Sequence, residues 1–394
     1  MMDWKEYKLS ELAEITSSKR IFYSDYVLSG IPFYRSKEVI EKALGQSTNE
    51  TLYISIDKFT EIKEKFGAPE TGDLLVSAVG ERAGIPFLVK DLGDFYFKDG
   101  NLIWLRNIKV DLVAEFFCYW LRSNIGQQTL ESIMIGSAQK ALTIIGLKNL
   151  VIQIPIPSYQ KSIASILSSL DDKIDLLHRQ NATLEAMAEA LFRQWFVVEA
   201  REEWGVKKLG ELVTVKRGGS PRPIQDYLSE TGLRWLKISD ATKTASPFIF
   251  EIKEHIKEEG LTKTTLLRKG TLVLSNSATP GIPKILQVDS CIHDGWLHFP
   301  KSYFSNEFLY LLLKSIRPEL LIQGNGSIFT NLKTDILKEY PIPIPDDKNL
   351  QFFDSQVKPI FNKILKNSTQ IRTLTALRDT LLPKLMSGEV RVKM

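Results

Sequence analysis

From Ile163 onward the apolar residues advance in alternating steps of four and three: Ile163, Leu167, Leu170, Ile174, Leu177, Leu184, Ala188, Leu191 and Trp195, with Asn181 interrupting the run. The spacing returns from Leu350 through Phe353, Val357, Ile360, Ile364, Ile371, Leu374, Leu381 and Leu385, interrupted by Asn367 and Arg378. Steps of this kind put every named residue on one narrow stripe of a helix, and such a stripe needs a partner helix to cover it. Two long helices are therefore predicted, pairing as a coiled coil. The first leaves one domain and reaches the next, and the second must turn back, so the pair is expected to be antiparallel. At 1.5 Å per residue Ile163–Trp195 is about 48 Å long, which predicts two heads held apart by a rod.

The polar interruptions suggest a register. Asn181 set opposite Asn367 places Leu177 against Ile371, Leu184 against Ile364, Trp195 against Phe353 and Leu170 against Arg378, whose charge would reach water over Leu170. A slip of one heptad would bury an amide against Leu374 or Ile360 at a cost of about 1–3 kcal/mol. Asn181 and Asn367 are thus expected to form one polar layer that sets the register.

Outside the helices the chain is written twice. DWKEYKLSELAEI (3–15) returns as EWGVKKLGELVTV (203–215), GDLLVSAV as GTLVLSNS, GIPFLV as GIPKIL, KDGNLIWL as HDGWLHFP, and both copies end in Ile-Pro-Ile-Pro, always in the same order. Repeats are the first thing to seek in a chain, and these divide it into copies 1–200 and 201–394. Each copy opens with short β-like runs broken by Gly and Pro: Leu74–Val79, Phe95–Phe97 and Leu102–Leu105 in the first, Leu272–Leu274 and Ile292–Phe299 in the second. LVAEFFCYWLRS, which holds Cys118, reads as a packed helix. The fold class expected is α+β: two tandem pseudo-repeated domains, 1–157 and 201–345, each followed by a long helix, 158–200 and 346–394. Pro157 and Pro345 end the preceding strand and free the chain to enter the helix.

Composition changes this picture little. The 394 residues are 43% hydrophobic and 25% charged with a net charge of +4, which allows an anionic partner without requiring one. No apolar run is long enough for a membrane span and the amino terminus is too charged for a signal peptide, so a cytoplasmic location is expected. The two cysteines, Cys118 and Cys291, lie far apart and are not expected to pair. Signatures of enzymes are missing: no phosphate loop, no dinucleotide fingerprint, no zinc-protease or hydrolase motif. The stretch CIHDGWLHF could suggest a metal site, but Lys98 stands in the first copy where the second has His293, and an alternating strand is the better reading.

The basic loops carry more. TSSKR (16–20) supplies Lys19 and Arg20, and VKRGGSPRP (215–223) supplies Lys216, Arg217, Ser220 and Arg222 at the corresponding place, with glycines that let backbone approach a ligand closely. Lysine and arginine neutralise phosphate, and arginine bonds guanine with two donors. Arg35 with neighbouring Lys37, its counterpart Lys237, Arg82, Lys98 and its counterpart His293, Gln139 and Lys140, Asn276 and Asn325 complete the candidate DNA-contacting set. No catalytic and no metal-binding residue is expected.

Taken together, GGSPRP, GLRWLKISDA, GSAQKAL, the PIPIP junctions, ALFRQWFV (190–197) and LLPKLMSGEVRV (381–392) give a chain that resembles, over its whole length, the specificity subunit of Type I restriction-modification systems. The resemblance implies that each domain reads one half of a bipartite double-stranded DNA target while the helices space the domains and dock two methylation subunits. It also implies that no cofactor is bound by this chain. S-adenosylmethionine, ATP and Mg would belong to partner subunits, with restriction subunits joining through the methylation core. The two heads differ at their basic loops, SSKRIFYSDY against RGGSPRPIQDY, so the target is expected to be asymmetric. A two-headed adaptor for a partner other than nucleic acid is the alternative, and steep salt dependence of DNA binding would separate the two.

Overall fold

The computed structural model describes residues 4–45, 50–136, 139–322 and 331–392. It forms two compact units, Met1–Asp175 with Arg372–Met394, and Leu176–Ile371. Both units share one plan. In the first, an antiparallel sheet runs in the order Glu14–Thr16, Leu102–Arg106, Leu74–Ser77, Pro86–Leu88. A second sheet orders Tyr26–Val27, Leu52–Ile54, Ile31–Tyr34 and Tyr96–Phe97, the last pair parallel. The second unit repeats both sheets, as Val213–Arg217, Trp296–Ser302, Leu272–Ser275, Pro283–Leu286 and as Leu228–Ser229, His255–Ile256, Leu233–Leu236, Ser290–Ile292. It adds one edge strand to each, Phe248–Ile249 and Thr265–Leu267.

One expected strand is two. The run Ile292–Phe299 is broken by a turn at His293-Asp294-Gly295, closed by a hydrogen bond from the Trp296 amide to the His293 carbonyl (3.0 Å). Periodicity alone missed the Asp-Gly turn signal, which overrides strand propensity.

The Ile-Pro-Ile-Pro phrase closes a two-stranded ribbon in each unit. Val151–Ile154 pairs with Lys5–Lys8, and Pro341–Pro343 pairs with Val206–Lys208. Isoleucines 152, 154 and 342 point inward while Pro341 and Pro343 stay exposed, where a missing amide hydrogen costs little. The chain then enters a helix, Pro157–Arg193 in one copy and Asp347–Met386 in the other. Pro157 opens the first helix, where its fixed φ suits the geometry and no amide bond is lost. The second helix runs through Pro359, on its exposed side.

Every expected seam position on both helices is buried or half-buried. Within the first unit Ile163, Leu167, Leu385 and Met386 join one core with Leu9, Phe116 and Phe117. Within the second, Ala188, Phe192 and Phe196 meet Phe353, Val357, Phe361 and Ile364. A π-helical turn at Gln194–Val198 rotates Phe196 inward beside Phe192, so these rings, more than Leu191 and Trp195, fill that core. Trp195 instead stacks flat on Phe352 at 5.2 Å.

Two details of the seam differ from expectation. Asn181 and Asn367 do not bond each other: Asn181 Nδ2 donates to Ser368 Oγ (3.2 Å) and Asn367 Nδ2 to Gln180 Oε1 (3.4 Å), so each amide is held by the other's neighbour. Arg378 does not reach over Leu170 to water. It pairs with Asp171 at 2.8 Å, and the same carboxylate accepts from the Tyr119 hydroxyl, because a half-buried guanidinium is better satisfied by a charge than by distant solvent. Among the described residues no helix is long and apolar enough to cross a membrane.

Phe353 is fully buried, and its ring lies 4.8 Å from Phe196, 5.7 Å from Trp195 and 5.8 Å from Phe308. Phe353→Ala is expected to lower the stability of the second unit by about 3–5 kcal/mol, read as a fall in the urea midpoint followed by a probe of that unit.

Candidate nucleic-acid interface

Three loops meet at the end of the first sheet in each unit. They are the basic loop after the first sheet strand, the Asp-Gly turn, and the loop after the central strand with the segment that bridges to it. In the second unit Gly218 donates to the Trp296 carbonyl (2.9 Å) and Gly219 to that of Ile292 (3.2 Å), tying the basic loop to the turn. A Cβ at Gly218 would fall on the carbonyl oxygens of Ile292 and His293, and one at Gly219 on that of Lys263. The glycine pair therefore serves close approach to the protein's own backbone, not to a ligand. Asn276 donates its amide to the Gly295 carbonyl (2.7 Å) and accepts from Leu332 (2.7 Å), which joins the third loop to the other two. The first unit uses the same bonds: Ala78 to the Asn101 carbonyl (2.9 Å) and Leu142 to that of Ala78 (2.8 Å).

At the centre of the second cluster lies Asp294. Ser220 Oγ donates to its carboxylate at 2.7 Å, Arg222 pairs with it at 3.2 Å, and Arg217 Nε donates to its backbone carbonyl. The Ser220 hydrogen bond, with the charges of Arg217 and Arg222, outweighs burial and holds this carboxyl below its ordinary pKa. Asn276 is buried; with its side-chain oxygen turned to Arg217 it accepts from Nε at 3.2 Å and donates to the Leu332 carbonyl. The His293 ring accepts the Gly295 amide hydrogen at Nδ1 (2.8 Å), which requires the neutral tautomer with its proton on Nε2. Burial, reinforced by Lys237 and Arg217, lowers its pKa in agreement.

In the first unit Asp99 takes the place of Asp294. Arg20 pairs with it at 3.0 Å, Lys98 precedes it, and Lys19 lies over the Phe66 ring at 4.6 Å while its amide donates to Tyr96 Oη. An open cavity of about 410 Å³ adjoins this loop, lined by Lys19, Lys65, Phe66, Trp104, Arg106 and Asn107 among others.

The expected residues thus fall into two groups. Arg217, Ser220, Arg222, Asn276 and His293 are brought together around one turn, as are Lys19, Arg20 and Lys98. Arg82 and Lys140 belong to facing segments, since the Gly80 amide donates to the Lys140 carbonyl (3.1 Å), and Gln139 is exposed beside them. Lys216 is exposed on its strand and lies near His298. Arg35 and Lys237 are differently engaged. The backbone amide of each is capped by the acid three residues on, Glu38 and Asp240, and their side chains pair with Glu38 and Glu254, so both stabilise a helix start. Lys37 sits exposed on the helix that Arg35 starts, Ser36–Ala43, within 3.9 Å of Glu41. Asn325 lies outside the described residues. Asp99 and Asp294 were not among the expected contact residues, although KDG and HDG fall at matching places in the two copies. Among the described residues no group of three or more His, Cys, Asp or Glu is placed to hold a metal ion, and Cys118 and Cys291 are buried free thiols.

Burial holds the imidazoles of His293 and His298 below their ordinary pKa, so the native state disfavours protons that the unfolded chain accepts near pH 6.5. Their contribution is fully present above that pH and is lost as pH falls below it, until the native rings also protonate. Between pH 7.5 and 5.5 the stability of the second unit, followed by urea unfolding, is expected to fall by no more than about 1.4 kcal/mol per pH unit for each histidine. His293→Gln should reduce that fall.

Comparison with known proteins agrees with this arrangement. The family model described as the Type I restriction modification DNA specificity domain matches residues 1–186 and again 201–373. The chain is 30% identical over 315 residues to the Type I restriction enzyme MjaIX specificity subunit of Methanocaldococcus jannaschii, covering 73% of this chain and 72% of that one. It is 23% identical over 484 residues to the HindI specificity subunit of Haemophilus influenzae, covering 99% and 100%. The crystal structure of the Type I restriction-modification S subunit from M. genitalium has the same fold, with a TM-score of 0.63 at 17% identity over 100% of this chain and 97% of that one. Two matched recognition domains, each carrying the same three-loop cluster and each followed by a long helix, place this chain in the family of Type I restriction-modification DNA specificity subunits.

Proposed function

We propose that each recognition domain reads one half of an asymmetric, bipartite double-stranded DNA sequence, that the paired helices set the interval between the halves, and that the chain itself is non-catalytic. The observation that carries this reading is the recurrence of one loop cluster with different contents: Arg20, Lys98 and Asp99 in one unit, Arg217, Ser220, Arg222, His293 and Asp294 in the other. A shared frame with different exposed donors suits two modules that read different bases from the major groove while lysine and arginine hold the backbone. Two methylation subunits would dock on the helices and supply the S-adenosylmethionine chemistry, and restriction subunits would join through them with ATP and Mg. None of these cofactors is assigned to this chain.

The test is to co-express the chain with its methylation subunits and map methylated sites in the host genome. An asymmetric, two-part sequence with an unread gap is expected. Replacing residues 1–150 with the equivalent domain of another family member should change one half of that sequence and leave the other intact. Inserting one heptad, about 10 Å, into both helices should widen the gap by roughly three base pairs. A target whose halves change together, or a gap that does not move, would overturn the reading.

A further inference from the structure

The arginines best placed to meet DNA are already engaged in the free protein. Arg20 and Arg222 keep 69% and 78% of their side chains exposed, yet each is paired with the carboxylate of the Asp-Gly turn, at 3.0 Å to Asp99 and 3.2 Å to Asp294. The two copies differ in almost every other loop residue, so the recurrence of this pairing has a shared cause. Turn formation does not supply it. In the second unit the turn is closed by backbone bonds and by the His293 ring, while the carboxylate oxygens face Ser220 and Arg222 on the other loop.

We infer that Asp99 and Asp294 are latches that weaken phosphate contact until the loop is seated, occupying an arginine of the recognition loop with an internal carboxylate where a DNA phosphate would otherwise draw it. This rests on the DNA-reading function proposed above. An exposed ion pair is worth little, so the latch opens readily. On random DNA, exchanging carboxylate for phosphate gains almost nothing. On the correct half-site the released arginine and the seated loop make base contacts as well, and the exchange becomes favourable. Each latch therefore withholds a phosphate contact from the random complex, while the specific complex forms its full set after bearing the small cost of opening the pair. Ser220, bonded to the same carboxylate, positions Asp294 for this role.

The full-length chain, assembled with its methylation subunits, is titrated with its mapped target duplex, with duplexes altered in either half, and with a random duplex, over a range of salt. Asp294→Asn should bind the random duplex up to about fivefold more tightly. The slope of log K against log salt for that duplex should steepen by roughly 0.9, the value of one added phosphate contact. The target duplex should tighten by at least a similar factor with its salt slope unchanged, because the specific complex has already released the arginine; the steeper slope should appear with duplexes altered in one half only, and Asp99→Asn should produce it with the other half altered. Adding Arg222→Gln to Asp294→Asn should abolish the gain, a coupling that a merely structural aspartate would not show. Asp294→Glu should restore the wild-type salt slope. Wild-type discrimination of both halves, with Asp294→Asn unchanged in slope and in random-duplex affinity, overturns the latch alone. A wild-type complex that discriminates neither half overturns the DNA-reading function and the latch with it.

Discussion

Neither head closes its hydrophobic core without the long helices. In the first unit the core needs Tyr159, Ile163 and Leu167 from the start of one helix and Leu385 and Met386 from the end of the other. In the second it needs Phe192 and Phe196 from one and Phe353, Val357 and Phe361 from the other. Burying side chains of this size is worth roughly 1.5–3 kcal/mol each, so helix packing and head stability are one quantity. The frame of each head can be kept while its loops vary, because the loops contribute little to that core.

The helices are also tied to the heads by half-buried polar groups that bond across the packing surfaces. Asp171 accepts from Tyr119 and pairs with Arg378 in the first unit, and Glu185 accepts from Tyr310 and Lys314 in the second. Asn181, Ser368 and Ser246 form a further chain of contacts from one helix through the other to the head. Such groups add modest net stability, but they penalise any slide of a helix that would leave a donor or carboxylate unpaired. They make the orientation of each head on its helices specific, where apolar contacts alone would tolerate a shift.

The recognition loops follow the opposite rule. Their backbones are fixed by the paired bonds through Gly218, Gly219, Asn276 and Gly295, whereas the side chains they present, Arg20, Lys98 and Arg222 among them, remain largely exposed. A rigid main chain with solvated donors spends little ordering entropy on binding, and it can change its reading by exchanging side chains.

The repeat, the α+β class, the two helices and the residues of their seam were all legible in the sequence, because each rests on spacing: a period of 3.5 residues, or phrases recurring in one order. Cys118 as a core residue was legible for the same reason. What required the tertiary structure was every pairing between groups distant in the chain. Local pattern marks Arg35 and Arg222 alike as exposed basic residues, yet one caps its own helix on Glu38 and the other meets Asp294 across 72 positions. Spacing aligned Asn181 with Asn367, but packing handed their amides to Ser368 and Gln180, since hydrogen-bond partners are settled by side-chain direction within a layer. The strand expected through His293 gave way to a turn that assembles the recognition cluster, because backbone bonds from two other loops stabilise it there. Periodicity is written into local order, while the partners of a charge or an amide depend on which segments the folded chain brings within about 3 Å.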